Sequence, residues 1–228
     1  MDQPYEIEAK FVLPEARAAA LLAELRQLGP YTLAPAADES QRNTYFDTAD
    51  LGLARQNAGL RVRELGTRRI ATFKSGGQVQ AGIHMRGEWE QELGDDARVG
   101  EDGLSLEHWP PGPVREMALR ATGGARLLPV VRVQTLRRNL HVSHGDRRVA
   151  TLSIDEGVIA ANGRELPFRE LEIELYGEGE RADLDRLIAL LQGELPLEPE
   201  DRSKLARGLE LLREGDGGRR PAGDTDAR

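Results

Sequence analysis

The stretch Glu6-Ile7-Glu8-Ala9-Lys10-Phe11 alternates charged with apolar residues. As a strand it sets Glu6, Glu8 and Lys10 on one face, successive side chains about 7 Å apart, and Ile7, Ala9 and Phe11 on the other. Hard carboxylate oxygens beside an ammonium suit a divalent cation held together with a phosphate. The pattern recurs down the chain. Arg61 and Arg63 share a face opposite Leu60 and Val62, and Thr72 and Lys74 share a face within 70–74. Arg86, Glu88 and Glu90 alternate against Trp89 and Gln91. Late in the chain, Glu170, Glu172 and Glu174 stand against Leu171, Ile173 and Leu175.

The elements that must position these residues follow from periodicity and punctuation. Pro14 opens a helix in which Leu21, Leu22, Leu25 and Leu28 recur at helical spacing, and Gly29-Pro30 is expected to end it. Residues 44–47 read as the end of a second strand, and 50–56 as a short helix. The glycine-rich stretch 75–82 reads as a long connection between two strands. Gly76, Gly77 and Gly82 lack the Lys-Ser/Thr and helix of a P-loop. The acidic, Pro/Gly-rich segment 95–113 and a short helix ending at Gly123-Gly124 form an insertion. Residues 127–142 read as one strand, or two around Arg138-Asn139. Which of Arg132, Arg137 and Arg138 face inward depends on a register the sequence does not determine. Residues 147–161 are expected to fold as a hairpin around Glu156-Gly157. A helix closed by Gly193 follows. The last helix, carrying Lys204, Leu205, Leu209 and Leu212, is capped by Asp201 or Ser203. The domain is expected to span 1–213, with 214–228 a disordered tail or truncated linker.

Composition narrows the function. A chain of 228 residues can bury a substantial core. Without cysteine there is no disulfide scaffold and no thiolate metal site, which suits a reducing cytoplasm. The first residues show no basic region followed by an apolar core, so no signal peptide is expected. No apolar run approaches the roughly 18 residues of a membrane span. A net charge of −8 argues against a nucleic-acid partner but leaves room for a local basic cluster that binds a small phosphorylated ligand. His141 and His144 are three apart, on opposite faces of a strand, and read as surface residues. His84 and His108 have no evident partner, and no Ser/His/Asp arrangement stands out.

Several strands thus carry charge on one face and aliphatic residues on the other. A sheet with helices over its apolar side can close so that the charged face lines an interior filled by a charged ligand and water. The lumen acids are then Glu6, Glu8, Glu88, Glu90, Asp155, Glu170, Glu172 and Glu174. The lumen bases are Lys10, Arg61, Arg63, Lys74, Arg86, Arg137 and Lys204. The plainer alternative is cross-strand salt bridges on an open sheet, each worth about 0–1 kcal/mol.

Glu6-x-Glu8-x-Lys10 resembles the E-x-E-x-K signature of the CYTH domain, the triphosphate tunnel metalloenzymes. Residues 45–47, Arg61-Val62-Arg63, Thr72-Phe73-Lys74, Arg86-Gly87-Glu88-Trp89-Glu90, Asp155, Glu170-Leu171-Glu172 and Ser203-Lys204 fall in that family's order. The resemblance implies an α+β, mainly antiparallel β fold: an eight-stranded closed tunnel-like barrel with a charged lumen and helices packed outside. It also implies a bound triphosphate with Mg²⁺ or Mn²⁺. Residues 82–90 resemble the bacterial subgroup often fused to a C-terminal CHAD domain, which is absent from this chain. Carried over by position, Lys10, Arg61, Arg63, Lys74, Arg86, Arg137 and Lys204 would bind phosphates, Arg by bidentate contacts and Lys as a point charge. Glu6, Glu8, Glu170 and Glu172 would hold one or two metal ions, with Glu88, Glu90 and Asp155 as further ligands or supports. Lys10 and a carboxylate among Glu8, Glu170 and Glu172 would act in catalysis, the carboxylate aiming a water in line at a terminal phosphorus.

The expected activity is metal-dependent hydrolysis of inorganic triphosphate to pyrophosphate and phosphate. Aromatic residues make up only 4% of the chain and none is on the lumen list, so a base-stacking cradle is not expected. The alternatives are an adenylate cyclase or thiamine or nucleoside triphosphatase of the same family, and a non-catalytic polyphosphate-binding module.

Overall fold

A computed structural model describes residues 5–94, 97, 99–100 and 103–216 of the chain. Wherever charge alternates with aliphatic side chains, the backbone is extended. The principal strands are β1 (Tyr5–Val12), β2 (Glu39–Asp47), β3 (Ala58–Leu65), β4 (Arg68–Gln80), β5 (Ile83–Leu93), β6 (Leu128–His144), β7 (Arg147–Ala161) and β8 (Arg164–Leu175). They pair antiparallel in the order β7-β8-β1-β5-β4-β3-β2-β6. β6 then pairs with β7 along nearly its whole length, which closes the sheet into an eight-stranded barrel. The far half of β6 also carries the short strand Tyr31–Pro35, outside the closed circuit.

Register places the charges face to face. Lys10 lies opposite Glu172 and Glu8 opposite Glu174. Glu6 faces Arg86, Lys74 faces Glu88, and Arg137 faces Asp155. Directly opposed side chains share a face and lie within contact distance, so the charged positions converge inside the barrel.

The other face of each strand is aliphatic and covered. Helices α1 (Ala16–Ala23) and α4 (Arg181–Glu194) lie over Phe11, Leu152, Ile154, Leu171 and Ile173 through Leu22, Leu184, Leu187 and Leu191. Helices α2 (Gly52–Arg55) and α3 (Pro113–Thr122) lie over Phe46, Leu60, Val62 and Phe73 through Leu53, Val114 and Ala118. Burying a large aliphatic or aromatic side chain contributes about 1.5–3 kcal/mol, whereas buried ion pairs roughly break even against their desolvation. The outer layer therefore holds the barrel together and the interior is left free for chemistry.

Helix α5 (Lys204–Asp216) differs from the other four. Val131, Val133, Ile159, Ala161 and Phe168 sit at lumen-facing positions, by alternation with Arg137, Asp155 and Glu170, and Leu209 packs on them. One end of the barrel is thus apolar and filled by α5. Ser203 caps this helix, its Oγ accepting from the Ala206 amide at 3.1 Å. The helix runs to Asp216, and the residues on which the expectation of a tail rests lie outside those described.

Several local expectations need correction. Residues 147–161 form one continuous strand, with no hairpin at Glu156-Gly157. A Cβ at position 157 would lie 2.0 Å from the Gln134 carbonyl oxygen, so glycine there serves the close approach of β6. The long connection at 75–82 is absent as well. β4 continues to Gln80 through a bulge between Ser75 and Gln78, and the turn to β5 is only Ala81-Gly82. Helix α1 stops at Ala23, and Leu28 belongs to a short strand that Gly29-Pro30 turns back onto Tyr31. Gly193 lies within α4, not at its end.

Candidate functional site

A cavity of about 540 Å³ occupies the barrel interior, within the range of small-molecule sites. Glu6, Glu8, Lys10, Arg61, Arg63, Lys74, Arg86, Glu88, Glu90, Arg137, Asp155, Glu172, Glu174 and Lys204 line it. Glu170 lies just behind, 1% exposed. The two readings of the sequence are therefore compatible: the ion pairs are present, and they are inside a closed barrel. Arg137 is the arginine of β6 that faces inward. Arg138 turns outward onto Glu156 at 3.3 Å, and Arg132 shares its parity.

Three sectors can be distinguished. On β7 and β8, one ligand oxygen from each of Asp155, Glu170 and Glu172 lies within 4.8 Å of the others. Lys204 Nζ sits among them, 2.9 Å from both Asp155 Oδ2 and Glu172 Oε1 and in contact with Glu170. Arg137 clasps Asp155 with Nε and Nη2, each at 2.7 Å, and also reaches Glu172. Burial alone would raise Glu172, but Lys204, Arg137 and Lys10 hold it well below the usual carboxylate range. Burial would lower Lys204, and Asp155, Glu170 and Glu172 outweigh it and raise the ammonium.

The second sector joins β1, β4 and β5. Lys74 Nζ is 2.7 Å from Glu6 and 3.0 Å from Glu88, and Arg86 donates to Glu6 at 3.2 Å and to Glu8 at 2.7 Å. Lys10 links the sectors, 2.9 Å from Glu8 and 3.4 Å from Glu172. Glu174, more open to solvent, is pushed up to about 7 by partial burial and by the Glu6 and Glu8 carboxylates. Glu90, like Glu174, lies toward the solvent. Its side chain is half exposed and accepts from Thr72 Oγ1 at 3.2 Å.

The third sector, on β2 and β3, is short of anions. Arg63 makes no ion pair among the described residues, and its Nε donates to Asn43 Oδ1 at 3.3 Å. Burial and the neighbouring Arg61 and Arg137 guanidinium groups depress it to about 10. Arg61 lies 3.8 Å from Glu88 and 4.0 Å from Glu90. Its Nε, like Thr135 Oγ1, is buried without a hydrogen-bond partner among the described residues. Buried donors of this kind cost stability unless something accepts from them. The wall can accept an anion, and the opposite carboxylates can hold a cation.

Sequence reasoning missed several members of this site. Arg207, 6% exposed, pairs with Glu170 one helical turn after Lys204; the i, i+3 spacing was a readable signal. Gln41, Asn43 and Tyr45 share the lumen face of β2, but uncharged polar alternation resembles any exposed strand. Tyr45 also corrects the expectation of a lumen without aromatic residues. Burial raises its hydroxyl, and Arg61, Lys204 and Lys74 outweigh that and lower it. Neither His84 nor His144 lines the cavity. His84, opposite Glu8 in register, is buried with Nε2 3.0 Å from the Glu200 carbonyl, and the His144 ring lies tilted against Tyr31 with centroids 5.1 Å apart.

The family model described as CYTH domain matches residues 4–209. An inorganic triphosphatase of Haemophilus influenzae is 28% identical over 174 residues, covering 74% of this chain and 45% of the relative. The chain thus spans about half the length of that curated relative. A candidate adenylate cyclase from Bacillus halodurans, of known structure, superposes with a TM-score of 0.62 at 25% identity, over 91% of this chain and 98% of the other. A candidate adenylyl cyclase from Hippeastrum, described as having a dominant triphosphatase activity, shares the fold: TM-score 0.53, 20% identity, 91% and 96% coverage. Among the described residues, no helix is long and apolar enough to cross a membrane.

Proposed function

This chain belongs to the CYTH domain family, and from that premise we propose that it hydrolyses inorganic triphosphate to pyrophosphate and phosphate inside the barrel, with Mg²⁺ or Mn²⁺. The observation that carries the reading is the anion-poor wall. Arg63 without an ion pair and the unpartnered Arg61 Nε and Thr135 Oγ1 face a cavity otherwise rich in matched charges. A phosphate oxygen is the acceptor those donors need.

The residues present fit a divalent ion. The donor set of Asp155, Glu170 and Glu172 is all carboxylate oxygen, the preference of Mg²⁺ and Mn²⁺, and it already encloses a cationic group in Lys204. Glu6, Glu8, Glu88 and Glu90 are further candidate ligands on the β1–β5 side. When bound, the ion would neutralise phosphate charge and polarise the scissile P–O bond.

The protein's own groups supply the rest. Arg61 and Arg63 grip one end of the triphosphate, and Lys74, Arg86 and Arg137 neutralise oxygens along it. Lys10, between Glu8 and Glu172, donates to the phosphoryl group under attack. A carboxylate among Glu8, Glu170 and Glu172 accepts a hydrogen bond from the attacking water and aims it in line. The covered strands and the α5 plug close the barrel wall and one end, which limits water around the buried groups there and strengthens their contacts.

The deciding experiment incubates the protein with inorganic triphosphate, ATP and thiamine triphosphate in Mg²⁺ or Mn²⁺, and assays phosphate, pyrophosphate and cyclic AMP. Equal amounts of phosphate and pyrophosphate from inorganic triphosphate are expected. Cyclic AMP from ATP would make the protein a cyclase. Binding of polyphosphate without turnover would make it a binding module, one that a C-terminal CHAD domain in a longer chain would complement.

A further inference from the structure

The Asp155–Glu170–Glu172 cluster is charge-saturated by the chain itself. Lys204 Nζ contacts all three carboxylates, Arg137 covers the outer side of Asp155 and Glu172, and Arg207 Nη2 takes the second oxygen of Glu170. Lys204 therefore lies where a divalent ion coordinated by the same oxygens would lie. A metal beside that ammonium at contact distance would be repelled by it. Of the cations around the cluster, Lys204 is the one suited to leave. It is the first residue of α5, on a flexible four-carbon stem, while Arg207 one turn later holds Glu170 with a planar guanidinium; both cations lie over the Phe168 ring at 5.2 Å. A cation at a helix N-terminus also opposes the helix dipole, so the three carboxylates, with the Phe168 ring at 5.2 Å, hold Lys204 there. Ser203 and Lys204 both line the cavity, so a side chain released from the cluster has the anion site within reach.

We propose that Lys204 is a tethered stand-in for the metal: it and a divalent cation compete for Asp155, Glu170 and Glu172, and metal loading transfers its ammonium to the phosphate. Arg207 keeps α5 docked throughout, so the exchange needs only the first turn of the helix to move. The proposal rests on the metal-dependent reading given above.

The test is Mn²⁺ binding without any phosphate ligand, followed by calorimetry, on wild type, Lys204→Gln, Lys204→Met and Lys204→Arg. Removing the charge should tighten Mn²⁺ binding by about tenfold or more, whereas Lys204→Arg should bind no more tightly than wild type. Thermal midpoints establish that each variant is folded. In the wild-type chain, the ¹⁵Nζ resonance of Lys204 should shift with the same midpoint as a calorimetric titration with Mg²⁺, a readout that needs no variant. Equal Mn²⁺ affinity in wild type and Lys204→Gln, or an Nζ signal indifferent to Mg²⁺, overturns the competition and leaves the metal-dependent reading standing. Absence of Mn²⁺ binding in every form overturns both.

Discussion

Arg63 carries the clearest single-residue consequence. Its folded pKa, about 10, lies below the ordinary value, so the charged form is disfavoured by folding. At neutral pH the group is charged and lowers stability; that cost is relieved only as pH rises through about 10. Arg63→Met should therefore raise the unliganded thermal midpoint, by about 2–4 °C for each kcal/mol recovered, and should weaken triphosphate binding. A lower midpoint together with intact binding would mean that Arg63 is a structural cation. Glu8 makes the opposite case. Glu8→Gln keeps the volume and removes an anionic ligand, and turnover should fall by about 100-fold or more. The fold should survive, because Lys10 keeps Glu172 and Arg86 keeps Glu6. Full activity at both limiting and saturating metal would remove Glu8 from the site.

At the scale of elements, α5 is the part on which fold and site both depend. A Cβ on Gly208 would lie 2.3 Å from Val131 Cγ1, inside the apolar end of the lumen. Gly208→Ala should cost about 1–3 kcal/mol through overpacking, lowering the midpoint by roughly 2–12 °C, and should reduce turnover by displacing Lys204 and Arg207. Adding Val131→Ala should restore both, and failure of that rescue would place the damage elsewhere. The strands were legible because charge and aliphatic side chains alternate along them. Their limits were not, wherever glycine served packing. Gly157 admits the neighbouring strand and Gly77 sits in a bulge with φ +110°, yet both read as turn signals. The leucine repeat that suggested a helix through Leu28 crosses from α1 into a hairpin, because Gly29-Pro30 folds the chain back. Tyr45 was missed for another reason: its membership of the site depends on where β2 comes to rest, which no local pattern encodes. Arg207 was readable from its i, i+3 spacing to Lys204.

For the whole molecule, the decisive property is closure with the charged face inward. Periodicity supplies the two-faced strands and, with them, the possibility of closure around a charged interior; the resemblance to a tunnel family implied the eight-stranded closed barrel. Closure predicts a large response to an anion. Triphosphate with Ca²⁺ or without metal, checked to remain intact, should raise the midpoint by about 5–10 °C at 100 times its Kd. A shift no greater than matched ionic strength produces would argue against an anion-binding lumen.

Closure also has a bearing on time. β1 is among the earliest strands in the chain, yet one of its neighbours is β8, with Glu8 facing Glu174. Such distant partners make for slow folding, because loop closure must be met before the pairing repays it. While the chain is being synthesised, Glu6, Glu8 and Lys10 have no counter-charges from β8 or α5, and Phe11 has no cover from α4. Solvated charges tolerate that wait, and they also discourage the waiting strand from joining another chain edge to edge. The residues proposed above to hold metal and phosphate thus double as gatekeepers against aggregation during synthesis.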